Sequence, residues 1–223
     1  MKKIIVIIIC FIFVYGGCKA NINDAYKMIN NINKVGNEEI FDDYYIKGIS
    51  YNNDSVFNYE LIKDNDNYYI KIEKDDFYII KNNNSYHLYE NINNEKKHYK
   101  LDEDIDTILN QYTSRMSLNT NMNEMHKNVA IHLENLLSYC NENKAICTYS
   151  KSLFGKANLE ILQQTEISKR VSKYSIDNGK ITKINSEYIE DSIYLNTIIE
   201  VDYNNQNLNK LNKSDYKLVN KNS

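Results

Sequence analysis

Four histidines, four cysteines and two acidic runs are the side chains here equipped to do chemistry. His126 and His132 are six residues apart, about 600° of helical rotation, so they do not share a face. A zinc-binding helical pair has a spacing of four. With Glu124 and Glu134 beside them, both read as surface residues. His87 and His98 fall in different expected strands and could approach each other, but nothing supplies a third ligand. Cys140 and Cys147 have six residues between them and no second Cys or His pair nearby, a poor match to zinc-ligand spacing. In an oxidising compartment they read as a local disulfide closing the end of a helix, with two free thiols as the alternative.

The acidic runs are equally modest. Asp64-Asn65-Asp66-Asn67 begins like a calcium loop, but Tyr69 stands where that loop requires glycine, and an aspartate, not a glutamate, ends it. It reads as a hairpin turn. Glu103, Asp104 and Asp106 could form a cation site, yet placement at the positive end of a helix explains them with fewer assumptions. The chain has no G-x-S-x-G elbow, phosphate-binding glycine loop, H-E-x-x-H pair or dinucleotide fingerprint. The expectation is therefore no enzyme, no metal and no cofactor.

Cys18 is different. Lys2 and Lys3 precede the uncharged run Ile4–Val14, which is followed by Tyr15-Gly16-Gly17-Cys18-Lys19-Ala20. Eleven apolar residues fall short of the roughly 20 that a membrane-spanning helix needs, so the run reads as a signal peptide covering residues 1–17. Gly16-Gly17-Cys18 matches the small-small-Cys core of a bacterial lipobox, with Tyr15 replacing the usual Leu, Val or Ile. Cys18 would then be diacylated, become the mature N-terminus and anchor an exported protein to a bacterial membrane, periplasmic or surface-displayed. The rival is an ordinary cut after Ala20, which would discard Cys18. Multiple acyl chains give the stable attachment that one chain cannot.

Composition bounds the partners. The chain carries 27 basic and 30 acidic side chains, a net charge of −3. Losing Lys2 and Lys3 with the signal takes this to about −5, so there is no basic footprint for nucleic acid. There is no proline or tryptophan, six glycines and twenty tyrosines. The many Asn, Lys, Ile and Tyr residues share A/T-rich codons, so the asparagine runs are poor evidence for function. The tyrosines read first as β-propensity, and second as an amphipathic lining that meets lipid or glycan.

The elements follow from periodicity. Apolar residues from Ile22 to Val35 recur at helical spacing, and Gly36-Asn37 is expected to stop that helix. From Tyr44 to Leu101 the period is two. Six short runs (44–51, 56–62, 68–74, 77–81, 86–90 and 97–101) alternate with Asn/Asp clusters, an antiparallel meander. A helix opens at Asp102, with Ile105, Ile108, Leu109 and Tyr112 on one face. After a break near 117–121, Met122, Met125, Val129, Leu133, Leu136, Leu137 and Cys140 mark the clearest helix. A short helix is expected at 153–164. Three strands complete the pattern, 167–176, 180–189 and 193–203. The last carries Ile199 and Val201 on one face.

The expected fold is α+β: a strongly curved antiparallel sheet of about nine strands, a half-barrel, within a single domain over 18–203. An N-terminal helix and a helical insert at about 102–164 pack on the concave face. Residues 204–223 form a flexible tail.

Tyr174-Ser175-Ile176-Asp177-Asn178-Gly179-Lys180-Ile181-Thr182-Lys183-Ile184, followed by the strand ending at Tyr203, resembles the C-terminal hairpin of LolA/LolB-like and LppX-like envelope lipoproteins. The element order from Ile22 to Tyr203 is also similar. That resemblance implies a half-open sheet closed by helices around a cavity for acyl chains. Met122, Met125, Val129, Leu133, Leu136 and Leu137 would then form the lid, with Ile199 and Val201 lining the sheet. The ligand would be lipid or lipoprotein cargo, held by burial at roughly 0.8 kcal/mol per CH₂. Ordinary core packing is the other reading of the same side chains. The competing function is a surface lipoprotein that binds a host or envelope protein and no small molecule. A third is a structural envelope protein without a ligand. An enclosed apolar cavity of several hundred Å³ favours the carrier; a filled core beside an exposed apolar patch favours a protein partner.

Overall fold

The computed structural model describes residues 22–114, 121–152, 154–204, 208 and 211–219. Among them are three α-helices: α1 (Ile22–Glu38), α2 (Ile105–Thr113) and α3 (Met122–Asn141). The strands are β1 (Asp43–Asn52), β2 (Ser55–Asp64), β3 (Asn67–Ile72), β4 (Asp75–Asn82), β5 (Ser85–Ile92), β6 (Glu95–Leu101), β7 (Ile146–Lys151), β8 (Lys156–Gln164), β9 (Ser168–Asp177), β10 (Lys180–Glu190), β11 (Ile193–Asp202) and β12 (Lys217–Leu218). They form one curved, open α+β sheet in the order β12-β6-β5-β4-β3-β2-β1-β11-β10-β9-β8-β7. Every pairing is antiparallel except β12 on β6. Two meanders, β1–β6 and β7–β11, thus join through β1 against β11 in the middle of the sheet.

Twelve strands replace the expected nine. Residues 156–164 are strand β8, not helix, so the helices between the two meanders end at Asn141. Leu, Glu and Gln in this stretch favour helix intrinsically, but pairing on both sides and burial of Ala157, Leu159 and Ile161 decide otherwise. The segment expected as a mobile tail also contributes. Lys217 and Leu218 add β12 to the β6 edge, the Val219 amide donates to the His98 carbonyl at 2.8 Å, and Tyr216 packs edge-on against Tyr89.

The asparagine runs have a conformational job. Asn53, Asn65, Asn83, Asn93, Asn94 and Asn178 all sit at positive φ in hairpin turns. Asparagine is the non-glycine residue that tolerates this left-handed region best, and a chain with only six glycines uses it instead.

Alternation divides the sheet. Tyr44, Ile46, Leu61, Ile70, Ile79, Leu159, Ile181 and Val201 point to the helix-bearing face and are buried. Their neighbours point the other way. The helices cover this face with the stripe Ala25, Met28, Ile29, Ile32, Val35 from α1, and Ile108 and Leu109 from α2. Helix α2 starts at Ile105, later than expected. Asp104 is its N-cap, its carboxylate accepting from the Thr107 amide at 2.9 Å and hydroxyl at 2.7 Å. Those hydrogen bonds, the backbone one first, hold the Asp104 carboxyl below its ordinary range. Capping accounts for Asp104.

Gly36 does not stop α1, which continues to Glu38. A Cβ at Gly36 would lie 2.9 Å from His126 Cβ and 3.0 Å from the Asn123 carbonyl oxygen. Glycine is there so that α1 and α3 can approach. The Asn123 amide then closes the helix end, donating to the carbonyls of Gly36 at 3.0 Å and Glu39 at 2.7 Å.

Candidate functional site

Helix α3 begins at the Asn121 cap, whose side chain accepts from the amides of Asn123 and Glu124. Its expected lid residues form the centre of the molecule. Leu133 and Leu137 are fully buried, Met122, Met125 and Leu136 nearly so, and Val129 is half-buried. Opposite them Val201 is buried and Ile199 half-buried. Side chains lining an empty space of several hundred Å³ would keep accessible surface, and Leu133 and Leu137 keep 0 %. The α3–sheet interface is packed solid, as protein interiors are. Clefts lie around its edges, among them one of about 490 Å³ lined by Val201 and Tyr203 and one of about 180 Å³ where Met122 meets Tyr44 and Tyr68. One of about 330 Å³ separates the first turns of α1 from the β7–β8 turn, and one of about 240 Å³ lies between α2 and the sheet at Tyr99 and Tyr112.

The helices cover only one end of the apolar face. Helix α1 runs over the turn joining β9 and β10, where a Cβ on Gly179 would meet Asn31 and Val35 at 2.8 Å. Toward the opposite strand ends the same face continues with Ile199, which lies opposite both Gly48 and Ile184, and with Phe57 and Ile72 on β2 and β3. All four of these apolar side chains are half-buried. Further out, Leu195 faces Tyr188 across the ladder and is 38 % exposed, while Ile193 is 45 % exposed. The result is a partly exposed trough in which these apolar side chains alternate with Ser50, Thr197 and Ser186, the first two hydrogen-bonded to each other at 3.3 Å, and in which the buried Tyr59 ring lies over Gly48.

The two histidines on α3 part company. His132 is exposed, but His126 is completely buried, so it is not a surface residue. Its Nδ1 donates to the Met122 carbonyl at 2.6 Å. That leaves Nε2 as the acceptor for the Ile181 amide at 3.3 Å, beside the Ile181/Lys183 register shift. Phe41 stacks on the ring at 5.0 Å, and the Tyr203 hydroxyl, 3.4 Å from Nε2, donates to the Ile181 carbonyl at 2.8 Å. This arrangement fits only neutral imidazole with the proton on Nδ1. Burial pushes its pKa down, against the opposing pull of the Met122 carbonyl. The residue is a structural rivet between α3 and the sheet. Its signal was present in the sequence: His126 is four residues beyond Met122 and three before Val129, squarely on the apolar stripe.

His87 and His98 meet as expected, Nδ1 to Nε2 at 2.7 Å. Burial pushes both pKa values down; Lys100 and Lys213 add to the effect at His87, and His87 and Lys213 at His98. Among the described residues no group of three potential ligands surrounds a common point. The tyrosines do not share one surface either. Tyr44, Tyr59 and Tyr174 are in the core, whereas Tyr45, Tyr69, Tyr78 and Tyr89 form a cross-strand row on the other face.

Cys140 and Cys147 are disulfide-bonded, with Cα atoms 6.0 Å apart, joining the last turn of α3 to the edge strand β7. Cys18 and its flanking glycines lie outside the described residues. No described helix is long and apolar enough to cross a membrane.

No protein-family profile matches the chain, and no curated protein matches it. Among solved structures it is similar to a DUF1329 family protein from Desulfovibrio piger, at 11 % identity, covering 88 % of this chain and 97 % of that one, with a TM-score of 0.24. A score that low carries no argument about fold or function.

Proposed function

We propose that this chain is an exported cell-envelope lipoprotein, anchored through Cys18, that binds a protein partner on the open end of its apolar sheet face and performs no catalysis. The observation that supports this is the combination of a solid helix–sheet core with a partly exposed trough beside it, where Ile193 and Leu195 stand 45 % and 38 % exposed. A carrier with an enclosed acyl cavity needs the space that Leu133 and Leu137 fill. An extended apolar segment of a partner needs only the trough, where Ile193 and Leu195 form the rim and Ile184, Ile199, Phe57 and Ile72 the floor.

A photo-crosslinking residue introduced at Leu195 in the membrane-expressed protein tests this. One discrete protein adduct is expected, which a second change, Ile193→Lys, abolishes. The same probe at Ile131, exposed on the outer side of α3, yields none. Adducts to lipid alone from Leu195, insensitive to Ile193→Lys, would refute the partner and favour an acyl ligand lying in the trough.

A further inference from the structure

The turn between β7 and β8 combines features that the trough does not use. Phe154 is 85 % exposed at its tip, while the turn beneath it is tightly built. The Ser152 amide donates to the Lys156 carbonyl at 2.8 Å, and the Phe154 amide to the Ser152 hydroxyl at 3.3 Å. Gly155, at φ +83°, lies so close to Asn178 that any Cβ there would collide with its side chain, and the Asn178 amide donates to the Gly155 carbonyl at 3.2 Å. Two hairpin turns thus meet at Gly155 and Asn178, and Phe154 stands exposed beside that contact. Exposed lysines flank it at Lys151 and Lys156.

Position supplies the occupant. The cleft beneath this turn is lined on one side by Lys151 and Gly155 and on the other by Asp24 and Lys27, from the first turns of α1. Cys18 is four residues before Ile22, a length of chain that spans at most about 14 Å. An acyl-anchored Cys18 therefore keeps the bilayer surface within reach of this turn. Of the nearby carboxylates, Asp24 is engaged by Lys27 at 3.1 Å, and Asp177 accepts from the Asn178 side chain at 2.9 Å. Asp177 lies opposite Lys156 in the ladder, so the rim is positive through the excess of Lys27, Lys151 and Lys156 over Asp24 and Asp177. An aromatic ring flanked by lysines suits the boundary between acyl chains and anionic headgroups.

We infer that the β7–β8 turn is a second membrane contact: Phe154 inserts into the interface of an anionic bilayer while Lys151 and Lys156 meet its headgroups. The contact rests on the anchor proposed above for its place beside the membrane. Together the two attachments fix the domain's orientation. The trough at the opposite strand ends, about 25 Å away along seven or eight residues of strand, then points away from the bilayer toward a partner.

The chain contains no tryptophan, so Phe154→Trp makes a single reporter. The full lipidated chain carrying F154W is reconstituted in phosphatidylethanolamine/phosphatidylglycerol vesicles. Its emission should shift to the blue and be quenched by brominated acyl chains, while L195W in the same vesicles stays water-like and unquenched. An unshifted, unquenched F154W signal from vesicle-bound protein overturns the tip. Detergent-phase partitioning of the wild-type chain against C18A tests the anchor separately. If wild type stays in the aqueous phase, the anchor reading fails, and the unlipidated C18A chain still decides the tip. Its partitioning onto the same vesicles should fall at least about tenfold on F154S, the loss expected for removing one buried aromatic side chain. It should also fall with K151E/K156E and with added salt. No vesicle binding by the C18A chain, or binding unchanged by F154S, overturns the proposal.

Discussion

Protonating His126 should weaken the fold, and the structure sets the sign and scale. In the folded chain the imidazole is neutral, donating from Nδ1 to the Met122 carbonyl and accepting the Ile181 amide at Nε2. A proton on Nε2 would turn that nitrogen toward the Ile181 N–H, donor against donor, in a site with no exposed surface. Glu39 and Lys180 face the site but are paired to each other at 2.7 Å, so neither offers the imidazolium a dedicated partner. Burial accordingly lowers the folded pKa below its ordinary value near 6.5. In the unfolded chain the ring protonates near 6.5. Below that pH the unfolded state binds more protons than the folded one, so stability falls as pH falls. Between pH 7.5 and 5.5 the loss from this one residue is at most about 1.4 kcal/mol, the limit in which the folded imidazole takes up no proton. His87, His98 and His132 are shifted in the same direction, so the wild-type curve alone does not isolate His126. The variant His126→Gln does, because an amide can donate to Met122 and accept from Ile181 without titrating. Urea unfolding followed by far-ultraviolet circular dichroism at several pH values should give an H126Q curve flatter than wild type over this range, by no more than about 1.4 kcal/mol. Parallel curves would refute the neutral-rivet argument.

Three further outcomes follow from packing. Leu133→Ala should cost roughly 3 kcal/mol, the typical loss for a fully buried leucine, shifting the melting temperature down by about 6–12 °C. A loss under about 1 kcal/mol would mean that α3 is a loosely seated lid. Gly36→Ala should destabilise by about 1–3 kcal/mol through overpacking against His126, although helix propensity alone predicts a gain of about 1 kcal/mol; urea midpoints give the sign directly. Cys140→Ser with Cys147→Ser should lower stability by up to about 2.5 kcal/mol, the chain-entropy value for so short a loop. Added reductant should lower the wild-type melting temperature and leave the double variant unmoved.

Much of this architecture was legible because strands β1–β6 and β9–β11 alternate cleanly between one apolar and one wet face, with Asn-rich turns between them. Helix α3 was legible from its stripe. What failed did so for identifiable reasons. Strand β8 alternates at Ala157, Leu159 and Ile161, but its Leu, Glu and Gln residues carry helical propensity that only long-range pairing overrides. Two-residue β12 has no pattern to read, since its place is set by the β6 edge. Gly36 looks like a stop in sequence and is a contact in space, because a local signal cannot register a second helix. His126 fails the zinc spacing and so reads as a surface residue, yet its offset from Met122 and Val129 puts it on the buried stripe. The trough was invisible for a deeper reason. The stripe Ile193, Leu195, Thr197, Ile199, Val201 is uniform in sequence, and only the path of the helices decides which end is covered.

The apolar face of this sheet is filled under the helices and partly exposed beyond them, which fits the proposed protein partner better than an enclosed lipid cargo. Native mass spectrometry of the full chain purified from membranes in mild detergent addresses it most directly. The expected mass equals the mature polypeptide plus its Cys18 acyl modification, with no additional lipid retained after detergent is removed in the gas phase. One lipid molecule per chain, retained in C18A as well and lost on Leu133→Ala, would contradict it.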